Sequence, residues 1–466
     1  MIVFLMLPTL LAAAEVPEGA FPVESVETYV APATGADNKQ PFWLSFEDPA
    51  LTQRVEAALA NNYDVKAAAA RIVQAEAQAM RALSPLLPQV TADASISGSR
   101  AAALGAQFGI GGGNTGIFWS GNAGINAQWQ IDIWGQSYLA YRAAELQRDA
   151  STGDRDGVSL ALANQVAAAY FDVVLAKNSI ALVQEQIDAN RRLLELIELR
   201  FERGDSTGLD VLQQKQQTHA REAELPPLRS QLRAAELRLT LLVGEAPNAG
   251  EAQTASALPP LPLAPALGSP QDLVDHRPDL RAALRRAEAA SKQASSALRV
   301  HLPTLSANGS YQVNYFRLDE GNTVRDWRGG LNLSLPLFSG FGDSAQVSEA
   351  RASESNAVNA LSQSFLTAVQ EVENAAVNER ELSEQVQLLQ EASTAADAAL
   401  EESEARYVNG LTNYLAVLTA LNAAQGAKRS LLQAKRSALA ARLQLHQALG
   451  GPWTQTLTVA NAGGEP

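Results

Sequence analysis

The chain has 466 residues, 46% of them hydrophobic, with a formal net charge of −14 and a pI near 4.9. That acidity disfavours a nucleic-acid partner and gives no basic surface for anionic lipid. There is no cysteine, so disulfides, thiolate metal sites and a cysteine nucleophile are excluded.

Residues 1–14 form a signal-like apolar leader ending in an Ala-x-Ala pattern at Ala12 to Ala14, which predicts export although no Lys or Arg precedes it. Beyond it, no uninterrupted apolar run reaches the roughly 18 to 20 residues of a spanning helix. Residues 15–48, punctuated by Pro and Gly, read as an extended arm. Asp48-Pro49 is a helix start, an N-cap followed by Pro at the first helical position. The Ala-, Gln- and Glu-rich stretch behind it is helical until Pro85 and Pro88.

There the period changes from 3.6 to 2. Val90, Ala92, Ala94 and Ile96 alternate with Thr91, Asp93, Ser95 and Ser97; Ile125, Ala127, Trp129 and Ile131 alternate with Asn126, Gln128, Gln130 and Asp132. The strands are expected at about 88–98 and 121–134, and the same pattern returns at about 302–316 and 327–338. Each segment is about 10 residues, the length with which a tilted strand crosses a bilayer. A sheet with one apolar and one polar face fits a membrane barrel with a wet lumen. It also fits a small soluble β-domain. Four strands cannot close a barrel, so the membrane reading requires several chains, and three would supply twelve strands. Trp119, Trp129, Trp134, Tyr311, Tyr315 and Trp327 lie in or beside the strands and suit membrane interfaces.

Very long helices follow each strand pair, at 136–203 and 340–408, with return helices at 208–244 and 412–449. Pro226-Pro227 should kink or split the first return helix. Between long and return helices stand ELRFERGDSTGLDVLQQ and EARYVNGLTNYLAVLTA, which align Gly204 with Gly410 at an offset of 410 − 204 = 206. Upstream, PLLPQVTADAS matches RVHLPTLSANGS, pairing Pro88 with Pro303 at a spacing of 303 − 88 = 215. The chain is thus a duplicated unit, residues 49–245 and 271–451, joined by a Pro-rich linker at 246–270 and ending in a tail at 452–466.

Taken in order, these elements resemble the outer-membrane efflux channel family, the TolC-like channels, and within it the NodT-type lipoprotein branch. The segments that carry the resemblance are FWLSFEDPALTQRVEAALANNYDV, RPDLRAALRRAEAA at 277–290, LSLPLFSGFGDSAQVSEA at 333–350 and RYVNG at 406–410, and it covers residues 41–451. It implies an α+β membrane protein: a homotrimeric 12-stranded outer-membrane β-barrel continued by an α-helical tunnel through the periplasm of a Gram-negative cell. The implied partners are a second and third copy, outer-membrane lipid, a periplasmic membrane-fusion adaptor and an inner-membrane RND-type pump. No cofactor and no enzymatic step are implied; passage is passive.

The chain departs from the pattern twice. The branch's lipobox cysteine is absent, so the sequence as written offers no site for that acylation. In the second turn LAVLTA places Ala416 and Thr419 where related channels carry acids, whereas the first half keeps Asp205 and Asp210. An acidic entrance ring would therefore come from Asp205 and Asp210, which would favour cations; as an alternative, both simply cap the helix beginning near Leu209. Arg406 and Tyr407 are expected either to hold the entrance shut between neighbouring helix pairs or to serve the end of their own helix. Gly204, Gly208, Gly410 and Asn413 mark the turns that would dock the adaptor.

The second reading of the whole chain is a soluble periplasmic coiled-coil adaptor or scaffold. Enzyme motifs are lacking: residues 109–114 are Gly-rich without the Gly-Lys ending of a phosphate loop, the four histidines are isolated, and no G-x-S-x-G occurs.

Overall fold

The computed structural model describes residues 28–30, 40–100, 117–247, 254–317 and 321–456. The leader, most of the arm, the 109–114 glycine loop and the end of the tail lie outside the described residues. The chain divides into two compact units, one made of residues 1–20, 72–150 and 283–361, the other of residues 21–71, 151–282 and 362–466.

The helices begin and end where the chemistry asks. In α1 (Pro49–Asn61) the Asp48 carboxylate accepts from the N–H groups of Ala50 at 2.9 Å and Leu51 at 3.2 Å. The expected single helix then breaks at Asn62 before α2 (Tyr63–Leu83). Asn62 leaves helical geometry, accepts from Asp64 N–H at 2.7 Å and donates to the Leu242 carbonyl at 2.9 Å, so the bend is held on both sides. The long helices α3 (Gln136–Glu202) and α8 (Gly342–Val408) have 67 residues each, about 100 Å at 1.5 Å per residue. Of the return helices, the first is split into α4 (Gly208–Glu222) and α5 (Leu225–Val243) in front of Pro226-Pro227, and the second, α9 (Tyr414–Leu449), is continuous. Short α6 (Asp272–His276) leads into α7 (Pro278–Ala297).

In the first unit, β1 (Gln89–Arg100), β2 (Ile117–Ile131), β3 (Thr304–Arg317) and β4 (Gly321–Ser334) form one antiparallel sheet in the order β1-β2-β3-β4. The sheet joins the two repeats at β2 and β3. The strand bounds shift from those expected. β4 starts six residues before Trp327, because Arg325 and Asp326 pair with β3 despite breaking the apolar run, and it stops at Ser334, short of Pro336, which has no N–H to donate.

The second unit is helical. The arm does not stay extended to residue 48: Phe42–Phe46 forms a 3-10 turn that buries Phe42, Trp43 and Phe46. Trp43 meets Trp453 edge-on at 4.7 Å, Phe46 meets Phe171 at 5.2 Å, and Phe42 stacks on His446 at 5.5 Å. Burial, and then Arg442, lower the His446 pKa to about 3, so the imidazole is neutral. One window of α3 is apolar and long enough to cross a membrane, contrary to the reading from uninterrupted runs, and half of it is buried. Val166, Tyr170, Phe171 and Val174 place that helix in the core, which accounts for its hydropathy. Arg277, in the RPDL element, is a lock rather than a surface charge. It donates to Asp279 at 2.8 Å, to Glu371 at 2.7 Å and to the Ala448 carbonyl at 3.0 Å. Buried Arg442 similarly ties the linker to α8 and α9 through the carbonyls of Pro262 and Leu263 and the Glu379 carboxylate.

Candidate functional site

The two Gly turns are built alike. Gly204 has φ +81 and Gly410 has φ +71, the left-handed region that glycine enters without a Cβ clash. In the first, Gly204 N–H donates to Phe201 O at 3.0 Å and Asp205 N–H to Arg200 O at 2.8 Å; in the second, Gly410 N–H donates to Tyr407 O at 3.0 Å and Leu411 N–H to Arg406 O at 2.9 Å. This paired bonding closes the last carbonyls of α3 and α8. Three residues on, Thr207 caps α4 and Asn413, 206 positions later, caps α9 by accepting from Ala416 N–H at 3.2 Å. Gly208 is the first residue of α4 and lies beside the Phe201 ring.

The turns differ in their charges. Asp210 completes a capping box: it accepts from Thr207 N–H at 2.9 Å and from the Ser206 hydroxyl at 3.0 Å, and its own N–H donates to Thr207 Oγ1 at 3.3 Å. Partial burial opposes ionisation, but the Thr207 and Ser206 hydrogen bonds outweigh it and hold the carboxyl below its ordinary value. Asp205 is exposed, and its backbone serves the turn. So the capping alternative describes Asp210 and not Asp205.

Arg406 and Tyr407, adjacent in sequence, part company. Tyr407 is 4% exposed and packs with Leu193, Ile197, Tyr414, Val417 and Leu421. Arg200, its partner, was not singled out from the sequence. The Arg200 guanidinium lies 4.4 Å from the Tyr407 ring centroid and donates to the Tyr407 carbonyl at 2.5 Å, which bolts α3 to α8. The repeat carried a signal, since Arg200 and Phe201 align with Arg406 and Tyr407. Arg406 is 61% exposed and bonds Glu402 on its own helix at 2.7 Å. Thr419 is exposed and donates to the Leu415 carbonyl at 2.8 Å. A buried polar chain was also missed: Tyr414 OH donates to Gln214 Oε1 at 2.8 Å, and Gln214 Nε2 donates to Asn190 O at 2.9 Å and Asn190 Oδ1 at 3.0 Å. Burial raises the Tyr414 phenol to about 12, followed by the nearby Asp210 and Tyr407. Around both turns, Leu209, Leu212, Val408, Leu411 and Leu415 are exposed.

In the sheet, the polar face is cross-linked across all four strands. Asn126 donates to Asp93 at 2.5 Å, Asn122 to Asn314 at 2.8 Å, and Asn314 to Asp326 at 2.9 Å. On the opposite face Val90, Ile125, Tyr311, Leu331 and Leu333 are exposed, an arrangement a water-soluble sheet would bury. Trp119 lies over Gly98, and Trp129 donates to Leu86 O at 3.1 Å. Tyr315 is partly exposed near one end of the sheet. Trp327, 79% exposed, shares a mid-sheet row with Ala92, Ile125 and Tyr311. Trp134 is half-buried beyond β2 and donates to Pro303 O at 2.6 Å, lacing the sheet to the chain entering β3. Among the described residues, β1 and β4 each have one unpaired edge, and no group of acidic or histidine side chains could hold a metal ion.

Known proteins resemble this chain over nearly its whole length. The family described as outer membrane efflux protein matches residues 55–245 and 269–451. The pyoverdine export outer membrane protein OpmQ of Pseudomonas aeruginosa is 29% identical over 90% of this chain and 88% of its own. Nodulation protein T of Rhizobium leguminosarum bv. trifolii is 27% identical over 84% of each. Among solved structures, the outer membrane protein VceC of Vibrio cholerae superposes with a TM-score of 0.77 at 26% identity, covering 88% of this chain and 98% of that one.

Proposed function

The chain belongs to the outer membrane efflux protein family, and from that premise we infer that it is the outer-membrane exit channel of a tripartite efflux system. It works in the outer membrane and reaches into the periplasm. One observation carries the physical side of this reading: a four-stranded sheet with a hydrogen-bonded polar face, an exposed apolar face and two open edges. Such a sheet is satisfied in lipid only when its edges are paired, and three copies would close a ring of twelve strands. The soluble adaptor reading is set aside by the family and by that exposed face.

Within the trimer, the turns at Gly204, Gly208, Gly410 and Asn413, rimmed by exposed leucines, would meet the periplasmic adaptor, and the inner-membrane pump would supply the energy. Asp205 is the acid free to face a cation at the entrance; Asp210 is engaged in its cap. The Arg200–Tyr407 contact would keep each helix pair closed, while exposed Arg406 would reach a neighbour by giving up its Glu402 partner. Trp119, Trp129, Tyr311, Tyr315 and Trp327 are proposed to face lipid.

Planar-bilayer conductance of the detergent-purified protein, measured with its oligomer mass, tests the proposal. Discrete cation-preferring steps from a trimer are expected. A detergent-independent monomer without conductance would overturn it. Combined Arg406→Ala and Tyr407→Ala should raise single-channel conductance, and an unchanged value in a folded trimer would remove the gate role.

A further inference from the structure

Between β4 and α8 the chain makes a seven-residue loop, Leu335 to Phe341, with more exposed apolar surface than its position demands. Leu337 is exposed, and Phe338 and Phe341 are 80% and 77% exposed, their rings meeting edge-on at 5.8 Å. Phe341 has φ +69, where a bulky residue clashes with its own backbone. The duplication shows what that backbone requires. At an offset of 206 the first repeat places Gly135 at the same point before α3, with φ +71 and open space around it. Glycine satisfies this geometry without strain, yet the second repeat holds a phenylalanine there.

The strained turn is fixed rather than slack. Gly342 N–H donates to Ser339 O at 3.2 Å, Asp343 N–H to Ser339 Oγ at 3.2 Å, Ser344 Oγ to Phe341 O at 2.9 Å and Ala345 N–H to Phe341 O at 3.0 Å. Strain kept in a built loop points to a use for the side chain. The outward face of β4 says which use. Trp327, Leu331 and Leu333 line it, and the first charge beyond them is Arg325. Leu333 is the last outward-facing residue of β4, and exposed Leu335 and Leu337 carry the same apolar surface on into the loop.

Resting on the outer-membrane reading above, we propose that residues 335–341 are a lipid anchor. Leu337, Phe338 and Phe341 extend the apolar wall past the end of β4 and seat in the acyl–headgroup boundary of the leaflet from which α8 departs.

Because the chain has no cysteine, single-cysteine variants can carry nitroxide probes in the full-length protein reconstituted in phosphatidylcholine vesicles. Probes go at Phe338→Cys and Phe341→Cys, with Leu331→Cys as the wall control and Gln346→Cys as the aqueous control. Relative accessibility to oxygen and to a water-soluble nickel complex reads depth. The Phe338 and Phe341 probes should side with Leu331, favouring oxygen, and Phe341→Gly should shift the Phe338 probe toward nickel. Probes at both positions that match Gln346 overturn the anchor. Shielding from both reagents would overturn it in favour of contact with another copy. An aqueous Leu331 would instead sink the membrane reading on which the anchor rests.

Discussion

The two Gly turns share a backbone and little else. Both leave their long helix through a left-handed glycine and enter the return helix three residues later under a side-chain cap. The first carries Arg200, Phe201 and Asp210; the second carries Arg406, Tyr407 and Ala416 in the same places. In the first it is the arginine that reaches the other long helix, to Tyr407, and the ring that is half-exposed; in the second the ring is buried and the exposed arginine pairs only with Glu402 on its own helix. Duplication has preserved the geometry that closes a helix and redistributed the groups that act across it.

The largest break in that symmetry should come from the rings. Tyr407→Ala removes a buried aromatic and should cost about 3 to 5 kcal/mol, whereas Phe201→Ala, at a position 50% exposed, should cost under about 1 kcal/mol. Thermal midpoints of the two variants in detergent check this, and equal losses would contradict it. The glycines should behave alike instead: Gly204→Ala and Gly410→Ala each force a Cβ into the left-handed region at about 1 to 2 kcal/mol, seen as faster amide exchange in the adjoining helix ends. Next come the caps, with Thr207→Ala and Asn413→Ala each expected to cost about 1 kcal/mol.

Acid should then separate the turns. Because the folded Asp210 carboxyl sits below its ordinary 3.8, its contribution is complete above the unfolded value and is lost as pH falls through the folded one. Protection at the start of α4, taken relative to the intrinsic exchange rate at each pH, should therefore fall as pH drops below about 4, while protection at the start of α9, with Ala416 in place of the acid, should hold. Asp210→Asn should abolish the difference. The smallest effect is a repair. Gly426 lies inside α9 with nothing near its missing Cβ, and the equivalent residue in the first repeat is Ala220. Gly426→Ala should stabilise by up to about 1 kcal/mol, read as a small rise in midpoint.

Much of this was legible in the residues because it is local and periodic. Alternation in Val90 to Ile96 and Leu305 to Tyr315 announced the strands, Asp48-Pro49 the first helix, Pro226-Pro227 the split return helix, and Gly204 with Gly410 the turns. What stayed hidden depends on partners distant in sequence. Nothing near Phe42 says that it stacks on His446, and nothing near Arg200 says that its partner is Tyr407, 207 residues away. Nothing near Gln214 or Asn190 says that the packing of α4 on α3 buries and joins them. Nothing near Trp134 says that its indole donates to the Pro303 carbonyl, 169 residues away.

The central seam of the sheet has one more consequence. β2 and β3 belong to different repeats, and they pair antiparallel from Trp119 with Arg317 to Ile131 with Leu305. In a ring of three copies, β4 of one would meet β1 of the next, again the last strand of one repeat against the first strand of another. The molecule thus contains a covalently tethered version of its own assembly joint. Any substitution that weakens the visible seam foretells what its counterpart would do to the joint between copies.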